Sequence, residues 1–244
     1  GTGSSFAIDL TPYAKAGEKV NLVVRVDDDL RGGKQPGGKQ STQLHSAGCH
    51  YTRVTGIWQT VWMEAVDYQA LKHVFAIPDI DQQQLVIRPQ FYGENAANKL
   101  VVSVYDGNKV VAKKSVVCGD NSVVVLPIKG MKLWSPEHPF LYGVKYQVMK
   151  NGKIIDEVLS YAGMRKVHLA NGYFYLNNKP YYQRLVLDQG YYPDGIWTAP
   201  TDAALKKDIE MSKAVGFNGA RLHQKSFEER YYYWADKLGY LTWG

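Results

Sequence analysis

"TDAALKKDIEMSKAVGFNGARLHQKSFEERYYYWADKLGYLTWG", Thr201 to Gly244, is the stretch whose reading decides the fold. Its opening is a helix by pattern. Thr201 is an N-cap residue type and Gly216 stands beyond the end. Ala204, Leu205, Ile209, Met211 and Val215 fall in one half of the helical wheel, and Lys206, Lys207 and Lys213 take the other. "FNGARLHQ", Phe217 to Gln224, follows as a strand. A second helix then starts at Ser226 and Glu229, which have capping-box spacing, and ends at Gly239. Phe227, Tyr231, Trp234, Ala235 and Leu238 form its apolar stripe. "YLTW", Tyr240 to Trp243, is another strand. With "YYQRLVLDQG", Tyr181 to Gly190, as the strand upstream, the order is βαβαβ, which implies parallel strands joined by right-handed crossovers.

Two parallel architectures compete for this unit. A doubly wound nucleotide fold wants a glycine-rich turn after its first strand. The turn here, "DQGYYPDGIWTAPTD" (Asp188 to Asp202), is long, aromatic and lacks G-x-G-x-x-G. A (β/α)8 barrel accepts long loops after its strands because those loops build its active site. The barrel is therefore favoured, with three of its eight strands present. A strand at Tyr240–Trp243 needs neighbours for its backbone groups, so the chain is expected to be a piece of a longer protein.

Upstream, residues 68–166 carry short alternating runs: "HVFAIPDI", "QLVIRPQFY", "KLVVSVYDGNKVVAKKSVV", "NSVVVLPI" and "YGVKYQVMKNGKIIDEVLS". The turns "DGNK" and "KNGK" read as hairpins, the Asn-Gly pair more strongly because both positions tolerate positive φ. Strands of this number and spacing predict an immunoglobulin-like β-sandwich. Residues 1–67 also read as β. "EKVNLVVRVDDD" alternates Val20, Leu22, Val24 and Val26 against Asn21, Val23 and Arg25, and "GIWQTVWMEAV" alternates likewise. Between them lies the Gly/Pro-rich loop "LRGGKQPGGKQ".

Composition excludes several classes. Apolar residues make up 45% and charged residues 21% of 244, enough for real cores. No run of about 18 apolar residues spans a membrane. The formal charge of +6 is scattered, with no basic stripe or stacking motif, so no nucleic-acid partner is expected. Cys49 and Cys118 fit no metal or redox spacing and read as buried thiols, with a disulfide left open. The histidines assemble no metal site, and G-x-S-x-G, P-loop and H-E-x-x-H are absent. No cofactor is implied. The 18 tyrosines and six tryptophans suit sugar rings as well as cores.

The quoted stretches also resemble glycoside hydrolase family 2, the retaining β-galactosidases, β-glucuronidases and β-mannosidases. "FAIDLTPYAKAGEKVNLVVRVDD" and "GIWQTVWMEAV" look like the later strands of that family's jelly-roll sugar-binding domain. "LWSPEHPFLYGVKYQV" and "YAGMRKV" look like the end of its immunoglobulin-like domain. "FYLNNKPYYQRLVLDQG", "APTDAALKKDIEMSKAVGFNGARLHQK" and "YYYWADKLGYLTWG" look like the start of its barrel. The resemblance implies three regions: 1–67 as the C-terminal part of a jelly roll, 68–166 as an immunoglobulin-like sandwich, and 167–244 as the N-terminal part of a (β/α)8 catalytic barrel. Two departures leave the sugar open. Arg184 is followed by Leu185 where the family usually carries Arg-Gly, and "LDQG" replaces an Asn-Arg-His-Glu type run.

Retaining hydrolysis needs two carboxyl groups about 5 Å apart, placed by a barrel at strand ends. Asp188 is the only acid at such an end, so no catalytic residue is expected in this segment. The resemblance puts the acid/base and nucleophile glutamates beyond residue 244. Substrate-binding candidates are Arg221, which matches the family's arginine at the end of strand two, with His223, Gln224, Asp188, Gln189 and Trp243. Tyr191, Tyr192 and Trp197 are further stacking candidates. The expected partner is a carbohydrate substrate, with a homo-oligomer left open. By analogy a periplasmic or secreted location is favoured. The competing reading is a non-catalytic carbohydrate-binding or scaffold protein reusing these domains. A plain protein-binding sandwich is a weaker third.

Overall fold

The computed structural model describes residues 5–29, 31–94, 97–119 and 121–244. Residues 1–4, where the first expected domain starts, and Leu30, which heads the Gly/Pro-rich loop, lie outside the described residues. Among the described residues the architecture is mostly β with two helices, and neither helix is long and apolar enough to cross a membrane. The chain divides into two compact units. One takes the chain up to Val61 with Leu185–Trp234 and Thr242–Gly244, and the other takes Trp62–Arg184 and Ala235–Leu241.

The second unit is built on two antiparallel sheets. β1 (Leu71–Asp79), β2 (Gln84–Phe91) and β5 (Val124–Pro127) run in the order β1-β2-β5. β3 (Lys99–Asp106), β4 (Lys109–Val117), β6 (Tyr142–Lys150) and β7 (Lys153–Ala162) run in the order β4-β3-β6-β7. Period-two alternation puts Leu85 and Ile87 of β2, Leu100, Val102 and Val104 of β3, and Tyr142, Val144, Tyr146 and Val148 of β6 into one core. Two sheets thus pack face to face. The β6–β7 hairpin turns on Asn151 and Gly152, both at positive φ (49° and 77°), as the Asn-Gly reading requires. Three short strands, β8 (Val167–Ala170), β9 (Tyr173–Leu176) and β10 (Lys179–Pro180), form a further antiparallel sheet. These hairpins, turning on Asn171-Gly172 and Asn177-Asn178 at positive φ, were not anticipated.

The last residues of helix α2 (Glu229–Leu238) belong to this unit. Asp236 accepts from Arg165 Nη1 at 2.6 Å and from the Tyr161 hydroxyl at 3.1 Å. Its backbone carbonyl accepts from Trp134 Nε1 at 2.7 Å, and the Arg165 guanidinium lies 4.5 Å over the Trp134 ring.

The first unit holds strands β11 (Leu185–Asp188) and β12 (Gly219–Leu222), paired in parallel, and helix α1 (Asp202–Ala214) between them. β13 (Leu241–Trp243) completes the order β11-β12-β13. Thr201 caps α1 by accepting from Ala204 N at 3.1 Å. Of the expected apolar face, Leu205 and Ile209 are buried, while Met211 and Val215 are exposed.

Three expectations are corrected here. No strand forms among the described residues before Leu71, so "EKVNLVVRVDDD" and "GIWQTVWMEAV" pair with nothing as ladders, and Leu22, Val23 and Trp62 are exposed. Alternation supplies a face, but a strand exists only where a neighbour takes its backbone groups. The Ser226/Glu229 capping box does not form, because α2 starts at Glu229 itself. The Ser226 carbonyl accepts from Gln59 Nε2, and Glu228 Oε1 accepts from Ala199 N, so this turn is shaped by neighbouring loops. Both cysteines are free, with Cys118 buried as expected and Cys49 exposed.

Candidate functional site

Strand alternation sorts the candidate residues onto two faces of the first unit's parallel sheet. Register pairs Val186 with Ala220, Leu187 with Arg221 and Asp188 with Leu222, and paired residues of a parallel ladder share a face. Ala220 and Leu222 are buried, which marks the covered face; Leu187 and Arg221 are exposed, which marks the open one. Asp188 therefore belongs to the covered face. Its Oδ1 accepts from Gly190 N at 2.8 Å and its Oδ2 from the Tyr231 hydroxyl at 3.2 Å.

One residue further along, Gln189 and His223 fall on the Arg221 side and meet. His223 N donates to the Asp188 carbonyl at 2.9 Å, and Gln189 Oε1 lies 2.9 Å from His223 Nδ1. An amide oxygen only accepts, so this contact places the imidazole proton on Nδ1 and leaves Nε2 as an acceptor. Partial burial, then the nearby Arg221 and Lys39 cations, hold His223 below the usual imidazole range, so the ring is neutral at pH 7. The open face thus presents a cation, a neutral imidazole and an amide side by side. That set donates and accepts hydrogen bonds with hydroxyls and can pair with a carboxylate.

The loops around this face are tied down by aromatics and one half-buried lysine. Trp58 stacks on Trp197 with centroids 4.5 Å apart, and Tyr51 on Tyr191 at 4.2 Å. Thr198 Oγ1 donates to the Trp58 carbonyl. Lys225 Nζ donates to the Gly190 and Trp197 carbonyls, each at 2.6 Å. It also lies 5.3 Å from the Trp58 ring centroid and 4.9 Å from that of Phe227. Burial pushes its amine down to about 8, against the pull of the Glu228, Asp188 and Asp208 carboxylates. Burial raises Asp208, as does the charge on Asp188, while Tyr192 and Lys225 act the other way. The Tyr191 hydroxyl is pushed up to about 12 by burial and by Tyr51.

Of the expected site residues, Arg221, Gln189 and His223 are brought together on the open face. Asp188 adjoins them through its backbone, but its carboxylate is taken by Gly190 and Tyr231. Gln224 is exposed in a left-handed conformation (φ 54°), and a Cβ on Gly38 would lie 2.6 Å from its carbonyl oxygen. The Gly/Pro-rich loop therefore reaches the strand end, where only a glycine fits. Trp243 is 41% exposed on β13. Trp197 and Tyr191 spend their faces on Trp58 and Tyr51. Sequence reasoning missed Lys225, Trp58 and Asp208. Lys225 stood directly after "RLHQ", but nothing in the local pattern tells a half-buried lysine from a solvated one. Among the described residues no group of three or more His, Cys, Asp or Glu side chains is arranged to hold a metal.

Residues 69–165 match the model of "Glycosyl hydrolases family 2". Over 98% of its length the chain is 27% identical to a β-glucuronidase of Bacteroides fragilis, of which it covers 36%. Over 88% of its length it is 27% identical to a β-galactosidase of Thermoanaerobacter pseudethanolicus, of which it covers 29%. A glycosyl hydrolase family 2 member from Bacteroides cellulosilyticus superposes with a TM-score of 0.62 at 22% identity, covering 72% of this chain and 25% of that one. The chain thus spans about a quarter to a third of the length of these three relatives.

Proposed function

We propose, from the premise that residues 69–165 are a glycosyl hydrolases family 2 segment, that this chain is part of a retaining β-glycosidase acting on terminal β-linked sugars. In this reading the face-to-face sheets of the second unit are the immunoglobulin-like domain. The β11-α1-β12-α2-β13 run is the start of the (β/α)8 barrel, and the chain before residue 68 is the end of the jelly roll. The observation that carries the reading is the Gln189–His223–Arg221 cluster at the carboxyl ends of two parallel strands. A barrel binds its substrate at that end of its strands.

The roles follow from the chemistry of each group. Arg221 holds an anionic partner in the site, either a sugar carboxylate or the nucleophile glutamate, and keeps that carboxylate ionised. His223, with Nδ1 fixed by Gln189, accepts a sugar hydroxyl through Nε2. Gln224 and Trp243 stand at the rim, the first to hydrogen-bond and the second to stack. Asp188 acts through the turn it fastens. Double displacement needs one carboxylate as nucleophile and one carboxyl as acid and then base. Asp188 is tied to the fold and Asp208 projects from α1, so neither supplies the pair, and the two glutamates are to be sought past residue 244. No cofactor enters the scheme.

The test is hydrolysis by the full-length protein of chromogenic β-glucuronide, β-galactoside and β-mannoside, with product anomer followed by NMR. Cleavage with retention of configuration supports the reading. Sugar binding without cleavage of any of the three favours a non-catalytic carbohydrate-binding protein instead.

A further inference from the structure

We infer that Lys225 is a positioning residue for the open face: it fastens the loop that follows β11 and so sets where Gln189 and His223 stand. This rests on the glycosidase reading only for its effect on sugars. Lys225 Nζ donates to two carbonyls of the same loop, Gly190 and Trp197, seven residues apart, and so closes the loop on itself. Gly190 is held through its N–H as well, which donates to Asp188 Oδ1 at 2.8 Å. Fit requires glycine there: at φ 63°, a Cβ on residue 190 would lie 2.8 Å from Lys225 Nζ and 2.8 Å from the Phe227 ring. The ammonium also faces Trp58, so one side chain joins the loop after β11, the loop after β12 and the Trp58 segment.

Gln189, the residue beside Gly190, carries the consequence. Its Oε1 meets His223 Nδ1, and the next residue, Gly190, has its carbonyl held by Lys225. The titratable groups facing Lys225 are Asp188 from β11, Asp208 from α1 and Glu228 from the turn before α2. Removing the lysine leaves those carboxylates without their shared cation and the two carbonyls without a donor. The loop then loses its closure, and Gln189 loses its fixed place beside His223. A lysine that merely filled space would be replaced by methionine at little consequence for the loop, since the stem is of similar length.

The experiment takes the full-length protein with Lys225→Met and follows chymotrypsin cleavage by mass, because Tyr191 and Trp197 place two cleavable bonds in the loop, the bond after Tyr192 being protected by Pro193. The expected result is cleavage in 191–198 roughly tenfold faster than in wild type, with cleavage elsewhere unchanged. Lys225→Gln is measured in its place if the methionine variant does not fold. On a cleaved β-glycoside, Lys225→Met raises KM about tenfold with kcat changed much less. The double variant with Gln189→Ala is then no worse than the poorer single variant. Unchanged cleavage of 191–198 in a folded variant, or KM effects that multiply in the double variant, overturn the inference. Faster cleavage with no glycoside hydrolysed by wild type leaves the positioning role standing and removes the glycosidase reading.

Discussion

Lys225 also makes a prediction about stability that runs against intuition. A lysine in an unfolded chain titrates near 10.5, and Lys225 in the fold at about 8. Below pH 8 it is charged in both states. Between about 8 and 10.5 the fold holds it neutral while the unfolded chain still binds the proton. The unfolded state then carries more protons, so stability rises with pH across this window, and the gain is lost again as pH falls through 8. Two to three pH units at 1.36 kcal/mol each come to about 3 kcal/mol in full, and about 2 kcal/mol is reached by pH 9.5. Other groups titrate in this range, so the quantity to measure is a difference. Urea unfolding of wild type and Lys225→Met is followed at pH 7 and pH 9.5. The wild-type advantage over the variant should grow by about 2 kcal/mol between the two. A difference that stays constant, or shrinks with pH, refutes the claim that burial dominates this amine.

Other expectations are simpler to read. Ile87→Ala removes a fully buried side chain from the core shared by the two sheets and should cost about 2–5 kcal/mol in a denaturant titration. Asp236→Ala takes away the acceptor of Arg165 and Tyr161 and should cost about 1–3 kcal/mol, with Asp236→Asn recovering part of it. Iodoacetamide at pH 8 should label exposed Cys49 and spare Cys118, whose thiol is buried and pushed up to about 11; equal labelling by mass spectrometry contradicts that placement.

The fold was legible in the sequence wherever local pattern and tertiary need agreed. β6 reads as alternation and is buried as alternation, and Asn151-Gly152 turns as its residue types demand. Thr201 caps α1 because a threonine hydroxyl at that place has an orphan N–H to serve. Reading failed where a long-range partner decides the outcome. Val20, Leu22, Val24 and Val26 alternate as well as β6 does, yet no neighbour pairs with them among the described residues. Ser226 has the spacing of a cap, but its carbonyl is claimed by Gln59, 167 residues away in sequence. The candidate site divides in the same way. Strand position is enough to put Gln189 and His223 beside Arg221, because the end of a strand is a local property. The engagement of Asp188 by Tyr231 and the partial burial of Lys225 between two aromatic loops depend on contacts from elsewhere in the unit.

In the proposed reading the open face binds a sugar for cleavage. The measurement is kcat/KM of the full-length protein and of Arg221→Ala on whichever chromogenic β-glycoside the wild type hydrolyses best. The predicted result is hydrolysis with retention by wild type, and a loss of about a hundredfold or more in the variant with the fold intact. No hydrolysis of any β-glycoside by wild type, or an Arg221→Ala variant as active as wild type, would contradict it.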